Sequence, residues 1–108
     1  MTKVVVRYDD SNEFISLKSE GHANSASKGE DLVCAAISAV LLGGINALEK
    51  EFKLNVNEKD GIIELIKVGE LTNHDSVAIQ VIVSQLQAIA RDNPKYLKVS
   101  IEKIGRKE

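Results

Sequence analysis

Residues 3–8, KVVVRY, and 13–20, EFISLKSE, are dense in β-branched and aromatic side chains, with the polar DDSN between them. That pattern predicts two strands joined by a turn. From Gly21 to Gly29 the chain changes to Gly, Ser, Ala and Asn, a loop composition. Apolar density then returns. Leu32, Val33, Ile37, Val40, Leu41, Ile45 and Leu48 cover almost every side of a helix predicted from Glu30 to about Glu51. A helix apolar all round is expected to be largely buried. Glu30 and Asp31 put negative charge at its start, where the macrodipole favours it. Gly43-Gly44 inside it costs about 1 kcal/mol per glycine relative to alanine. The pair predicts a close packing contact, with a subunit interface as one place for it.

FKLNV and GIIELIKV flank NEKDG, and Asp60-Gly61 is a strong hairpin signal. SVAIQVIVSQLQAIARDN is ambiguous by propensity, because Val and Ile favour strands. Its polar positions decide: Gln80, Ser84, Gln87 and Arg91 form one stripe at helical spacing. Asn73 or Asp75 is the expected cap, and Pro94 follows the end. In YLKVSIEKI, Leu97, Val99 and Ile101 alternate with Lys98, Ser100 and Glu102, as in a half-buried strand. The predicted order is β-β-α-β-β-α-β. The class is α+β: a mostly antiparallel sheet with two helices packed on it, forming one domain over residues 1–108.

Composition narrows the function. The 108 residues are 44% hydrophobic and 28% charged, with a net charge of -2. This is an ordinary globular balance, without the basic footprint of a nucleic-acid binder. The tail KVSIEKIGRKE is basic but mixed in sign, and a solvated strand end explains it. One cysteine makes no internal disulfide. No secretory signal is evident at the N-terminus, and the longest apolar run, Leu32 to Leu42, is too short to span a bilayer. A reducing cytoplasm, with no membrane partner, is the expectation.

Chemistry concentrates in SEGHANSASKGEDLVCAAIS, residues 19–38, which holds Cys34 and one of two histidines, His22. Cys34 falls in the first turns of the predicted helix, where unpaired N–H groups and the dipole favour a thiolate. His22 ends the second strand, and loop 23–29 is expected to cover the crevice between them. On a helical wheel Asp31, Ser38, Leu41 and Ile45 share the side of Cys34. Leu41 and Ile45 point to a core, and Asp31 and Ser38 to a polar end. From pattern alone the plainer reading prevails: a free cysteine is usually a small buried hydrophobe. Asp31 is then a helix-terminus charge and Ser38 bonds the carbonyl one turn back. His74, in LTNHDS, is a rival base for which a solvent-exposed place beside a cap is expected. Zinc on Cys34, His22 and His74 is not expected, for want of paired ligand spacing. GEDLV is no phosphate loop.

GHA at 21–23 followed by GEDLVCAAIS at 29–38 resembles the signature of the ribosomal-processing cysteine proteases, the Prp (YsxB-like) family. The resemblance extends over essentially the whole chain in length and element order. It implies a cytosolic bacterial endopeptidase, homodimeric and without a cofactor. Such an enzyme removes a short N-terminal extension from the twenty-seventh protein of the large ribosomal subunit. By position it implies Cys34 as nucleophile and His22 as base, with supporting roles for Asp31, Ser38 and Gly21. Two other classes stand beside it. One is a non-enzymatic module that binds a ribosomal protein or assembly factor, with Cys34 structural. The other is a one-cysteine redox protein, disfavoured because no resolving cysteine is present.

Overall fold

The computed structural model describes residues 1–21 and 28–105, with backbone alone for 28–31. Its elements are β1 (Thr2–Tyr8), β2 (Phe14–Glu20), α1 (Lys28–Asn46), β3 (Phe52–Asn57), β4 (Ile62–Lys67), α2 (Asn73–Asp92) and β5 (Leu97–Lys103). The order and the α+β class are those the sequence predicts. The five strands lie in the order β3-β4-β2-β1-β5. All neighbours are antiparallel except β1 and β5, which run parallel with Thr2 beside Leu97.

Side chains alternate across each strand, so Val4 and Val6 of β1, Leu17 of β2, Leu65 of β4 and Leu97 of β5 all enter one core. Ile79, Ile82, Val83 and Leu86 of α2 close on it, while Gln80, Ser84, Gln87 and Arg91 face solvent, as their spacing requires. Gly61, at φ +65°, makes the turn from β3 to β4. Asn57 braces that turn by accepting from the Asp60 N–H and donating to its carboxylate.

Three expectations are corrected. First, α1 ends at Asn46, short of Glu51. The chain tightens there through Ala47 N–H to Gly44 O and Leu48 N–H to Ile45 O. The next two N–H groups, of Glu49 and Lys50, then donate to the Asp75 carboxylate at 2.8 and 2.9 Å. A side-chain acceptor thus replaces the helical carbonyls. Second, neither Asn73 nor Asp75 is the cap of α2. Thr72 is, and its hydroxyl accepts from Asp75 N–H. The Asp75 side chain, fully buried, turns instead to the α1–β3 connection.

Third, α1 is not buried on all sides. Val33, Ile37 and Leu41 enter the core, yet Leu32 and Leu42 are 65% and 53% exposed. A single sheet face and one neighbouring helix cannot cover the whole circumference. Gly43 and Gly44 divide along the same line. A Cβ on Gly44 would stand 2.3 Å from Ile82 Cγ1, so this glycine lets α1 and α2 touch, whereas a Cβ on Gly43 would meet nothing within 4 Å.

Candidate active site

Register explains the cleft. Lys3 pairs with Glu20 and Glu20 with Ile62, so the next residues outward, Thr2, Gly21 and Gly61, stand abreast at the end of the sheet. Gly21 N–H donates to Gly61 O at 3.1 Å, carrying the ladder one step past β2. With two glycines and a threonine, this row has little side-chain bulk. It leaves a cleft of about 370 Å³ between the sheet end and α1.

Cys34 and Ser38, one helical turn apart, both line the cleft from α1. The cysteine is partly exposed, so it is not the sealed core thiol of the plainer reading. Its Sγ lies 3.9 Å from Thr2 Oγ1. Ile37 and Leu42 add apolar surface from the helix, and Val56 and Ile63 add it from the β3–β4 hairpin; Glu58 brings a carboxylate. Gly21 has φ +133°, a conformation that L side chains rarely adopt. It fixes where the chain leaves β2 for residue 22.

His22, most of loop 23–29, and the side chain of Asp31 lie outside the described residues. The predicted helix start moves, with a chemical consequence. Because α1 begins at Lys28, its four unpaired N–H groups belong to residues 28–31. The Cys34 N–H falls inside the helical ladder and is not one of them.

His74 is not brought to the cleft. It sits at the start of α2, beside the chain that leaves α1, about 18 Å along that helix from Cys34. Its Nδ1 donates to Asp75 Oδ1 at 2.9 Å, with Glu49 3.8 Å away. The hydrogen bond to Asp75 pushes the imidazole up from its ordinary value; desolvation works against it, and the Glu49 and Asp75 charges add to the upward push. For Asp75, burial works upward. The Glu49 N–H, the His74 ring and the Lys50 N–H outweigh it and hold the carboxyl below its ordinary value. Glu49, His74 and Asp75 bring ligand atoms within 4.8 Å of one another. Both Asp75 oxygens already accept hydrogen bonds, so the group works as a clasp between α1 and α2.

The hairpin wall and Thr2 had no signal in the sequence. Only the sheet order, which places β4 beside β2, brings Glu58 and Val56 to the cysteine. A family model described as cysteine protease Prp matches residues 1–98. The chain belongs to that family.

It is therefore a cysteine protease, a hydrolase of peptide bonds, of the Prp ribosomal-processing family. The ribosomal processing cysteine protease Prp of Mycoplasma genitalium is 34% identical over 99 residues, 91% of this chain and 97% of that protein. In shape, the chain matches a Prp from S. aureus solved with a substrate peptide. The TM-score is 0.89 at 23% identity, over 94% of this chain and 100% of that one. The same S. aureus protease, solved with a covalently linked product peptide, gives 0.85 at 24% identity, over 94% and 100% of the two chains. At these identities the structural likeness establishes the fold. Among the described residues, no helix is long and apolar enough to cross a membrane.

Proposed function

We propose that the protein acts in the cytoplasm, removing the N-terminal extension of the twenty-seventh protein of the large ribosomal subunit, with Cys34 as nucleophile and His22 as base. One observation carries the assignment of the nucleophile. The chain belongs to a cysteine protease family and contains a single cysteine, and that cysteine lines an open cleft. The covalent product complex of the S. aureus relative supports a covalent route.

Cys34 thiolate attacks the scissile carbonyl carbon, forming the C–S bond and placing the electron pair on oxygen. Collapse expels the amine, which takes its proton from the His22 imidazolium. Neutral His22 then deprotonates a water, whose attack breaks the C–S bond, frees the acid and returns the thiolate. Ser38 supplies a polar contact one turn from the sulfur. Asp31 orients the imidazole or holds a basic group of the substrate. Gly21 sets the exit of the chain towards His22.

The substrate segment before the bond is apolar and aromatic, and the one after it is rich in lysine. Ile37 and Leu42 with Val56 and Ile63 offer the apolar surface. Glu58 at the cleft, and exposed Glu20 where the chain enters the loop, offer negative charge. Charge attraction in water is screened over about 8 Å at physiological salt, so it aids encounter more than it fixes the cut. Mass spectrometry of the ribosomal-protein precursor before and after incubation tests the reading directly; an uncut precursor overturns it. Replacing the aromatic residue before the bond by Ala should abolish processing. Replacing the lysines should lower kcat/KM at low salt and much less at high salt. Equal processing of the Ala peptide would refute this recognition scheme.

A further inference from the structure

The helix-facing row of β1 reads Thr2, Val4, Val6, with exposures of 4%, 0% and 0%. Two of the three are plain core valines. The third has nearly the shape of valine but carries a hydroxyl, and it is the one beneath Cys34. A hydroxyl taken from water without a partner costs about 1–3 kcal/mol on mutational scales. The Thr2 hydroxyl has the Cys34 sulfur as its partner, at 3.9 Å. The backbone holds it there. Thr2 N–H donates to Tyr96 O at 2.9 Å, and a β-branched side chain in a strand has restricted χ1 freedom.

In the neutral pair either atom can donate. A thiolate has no proton to give, so in the reactive state the donor must be the threonine. A hydrogen bond to a charged acceptor is shorter and stronger than a neutral one. The contact therefore tightens as the sulfur becomes nucleophilic, and the proton stays on Oγ1 throughout. The Cys34 N–H, committed to the helix, cannot take this part.

We propose that Thr2 is a positioning residue that donates a hydrogen bond to the Cys34 thiolate and holds the sulfur towards the cleft. This rests on Cys34 being the nucleophile. Thr2 acts through the sulfur.

The test compares the native protein with Thr2→Val and Thr2→Ser by the rate of iodoacetamide alkylation at one neutral pH. The kcat and KM for the precursor, and the melting temperature, are measured alongside. Thr2→Val should slow alkylation and lower kcat by about tenfold, the effect of losing one charge-assisted hydrogen bond, with KM unchanged. Thr2→Ser should restore most of both. Thr2→Val should melt with the native protein, because Val fills the same space, and Thr2→Ser somewhat lower, because it loses a buried methyl. Alkylation of Thr2→Val at the native rate overturns the proposal, as does a Thr2→Ser as slow as Thr2→Val. Cys34→Ala separates the two levels. If it still cleaves, the nucleophile is wrong and Thr2 falls with it. If it is dead while Thr2→Val keeps native kcat and alkylation, only the role of Thr2 is lost.

Discussion

A Cβ built on Gly21 would stand 2.6 Å from the carbonyl oxygen of Met1 and 3.0 Å from Thr2 Cα. Both obstacles are backbone, which cannot step aside as a side-chain tip can. With φ at +133° besides, Gly21→Ala should destabilise the protein by about 2–4 kcal/mol, combining backbone strain with overpacking. Cleavage should fall further than stability explains, because the strand end and the exit towards His22 move together. Thermal melts paired with precursor cleavage below the melting range check this. Gly69→Ala, where a Cβ meets nothing within 4 Å, is the control and should cleave normally.

The proposed pair makes a sharper demand. Cys34→Ala and Cys34→Ser should each abolish cleavage with the fold intact, and His22→Ala should come close to the same. His74→Ala should keep most of its activity, since His74 lies at the other end of α1. A dead His74→Ala beside an active His22→Ala would mean that the wrong histidine has been assigned.

The clasp around Asp75 predicts a pH signature in stability rather than in chemistry. The folded state favours protonated His74, so this contribution is fully present below the unfolded histidine value of about 6.5 and is lost as pH rises through the higher folded value. Asp75 works in the opposite sense. Its contribution is present above the unfolded carboxyl value of about 3.9 and is lost as pH falls through the lower folded value. The gap in melting temperature between native protein and His74→Ala should therefore be widest between about pH 4 and 6.5 and shrink towards pH 8. Asp75→Ala leaves the N–H groups of Glu49 and Lys50 without their acceptor and should cost about 3 kcal/mol. Equal melting-temperature gaps at pH 5.5 and pH 8 would rule out this role for His74.

The paired glycines of α1 should behave oppositely. Gly44→Ala forces Ile82 to move and should cost about 1–3 kcal/mol. Gly43→Ala meets only open space and should cost nothing within one chain. The open side of α1, with exposed Leu32, is where a second copy is expected to pack. Sedimentation at micromolar concentration should give a homodimer. Gly43→Glu, which puts bulk and charge on that side, should give a folded monomer.

Periodic segments were legible in the sequence because burial imposes its own spacing. The stripe from Gln80 to Arg91 identified α2 despite its β-branched residues, and Asp60-Gly61 located the hairpin. The motif from Gly21 to Ser38 pointed to Cys34. What stayed hidden depends on partners distant in the chain. Asp75 reads as a helix cap until Glu49 and Lys50 are found to need an acceptor. Thr2 lies just outside the predicted strand and carries no signal until the helix sets a sulfur above it. The exposed side of α1 was misread for a related reason: periodicity tells what a helix can bury, not how much neighbouring surface exists to bury it.

The parallel seam between β1 and β5 also imposes an order in time. Thr2 is held by Tyr96, so one edge of the cleft depends on a segment made well after α1. Contacts so far apart in sequence form late and slowly. While the chain is still emerging, Cys34 and its helix exist without the strand pairing that seats Thr2 beneath the sulfur. A nascent chain thus carries its cysteine long before it carries a finished cleft, and proteolytic competence should arrive only when β5 docks.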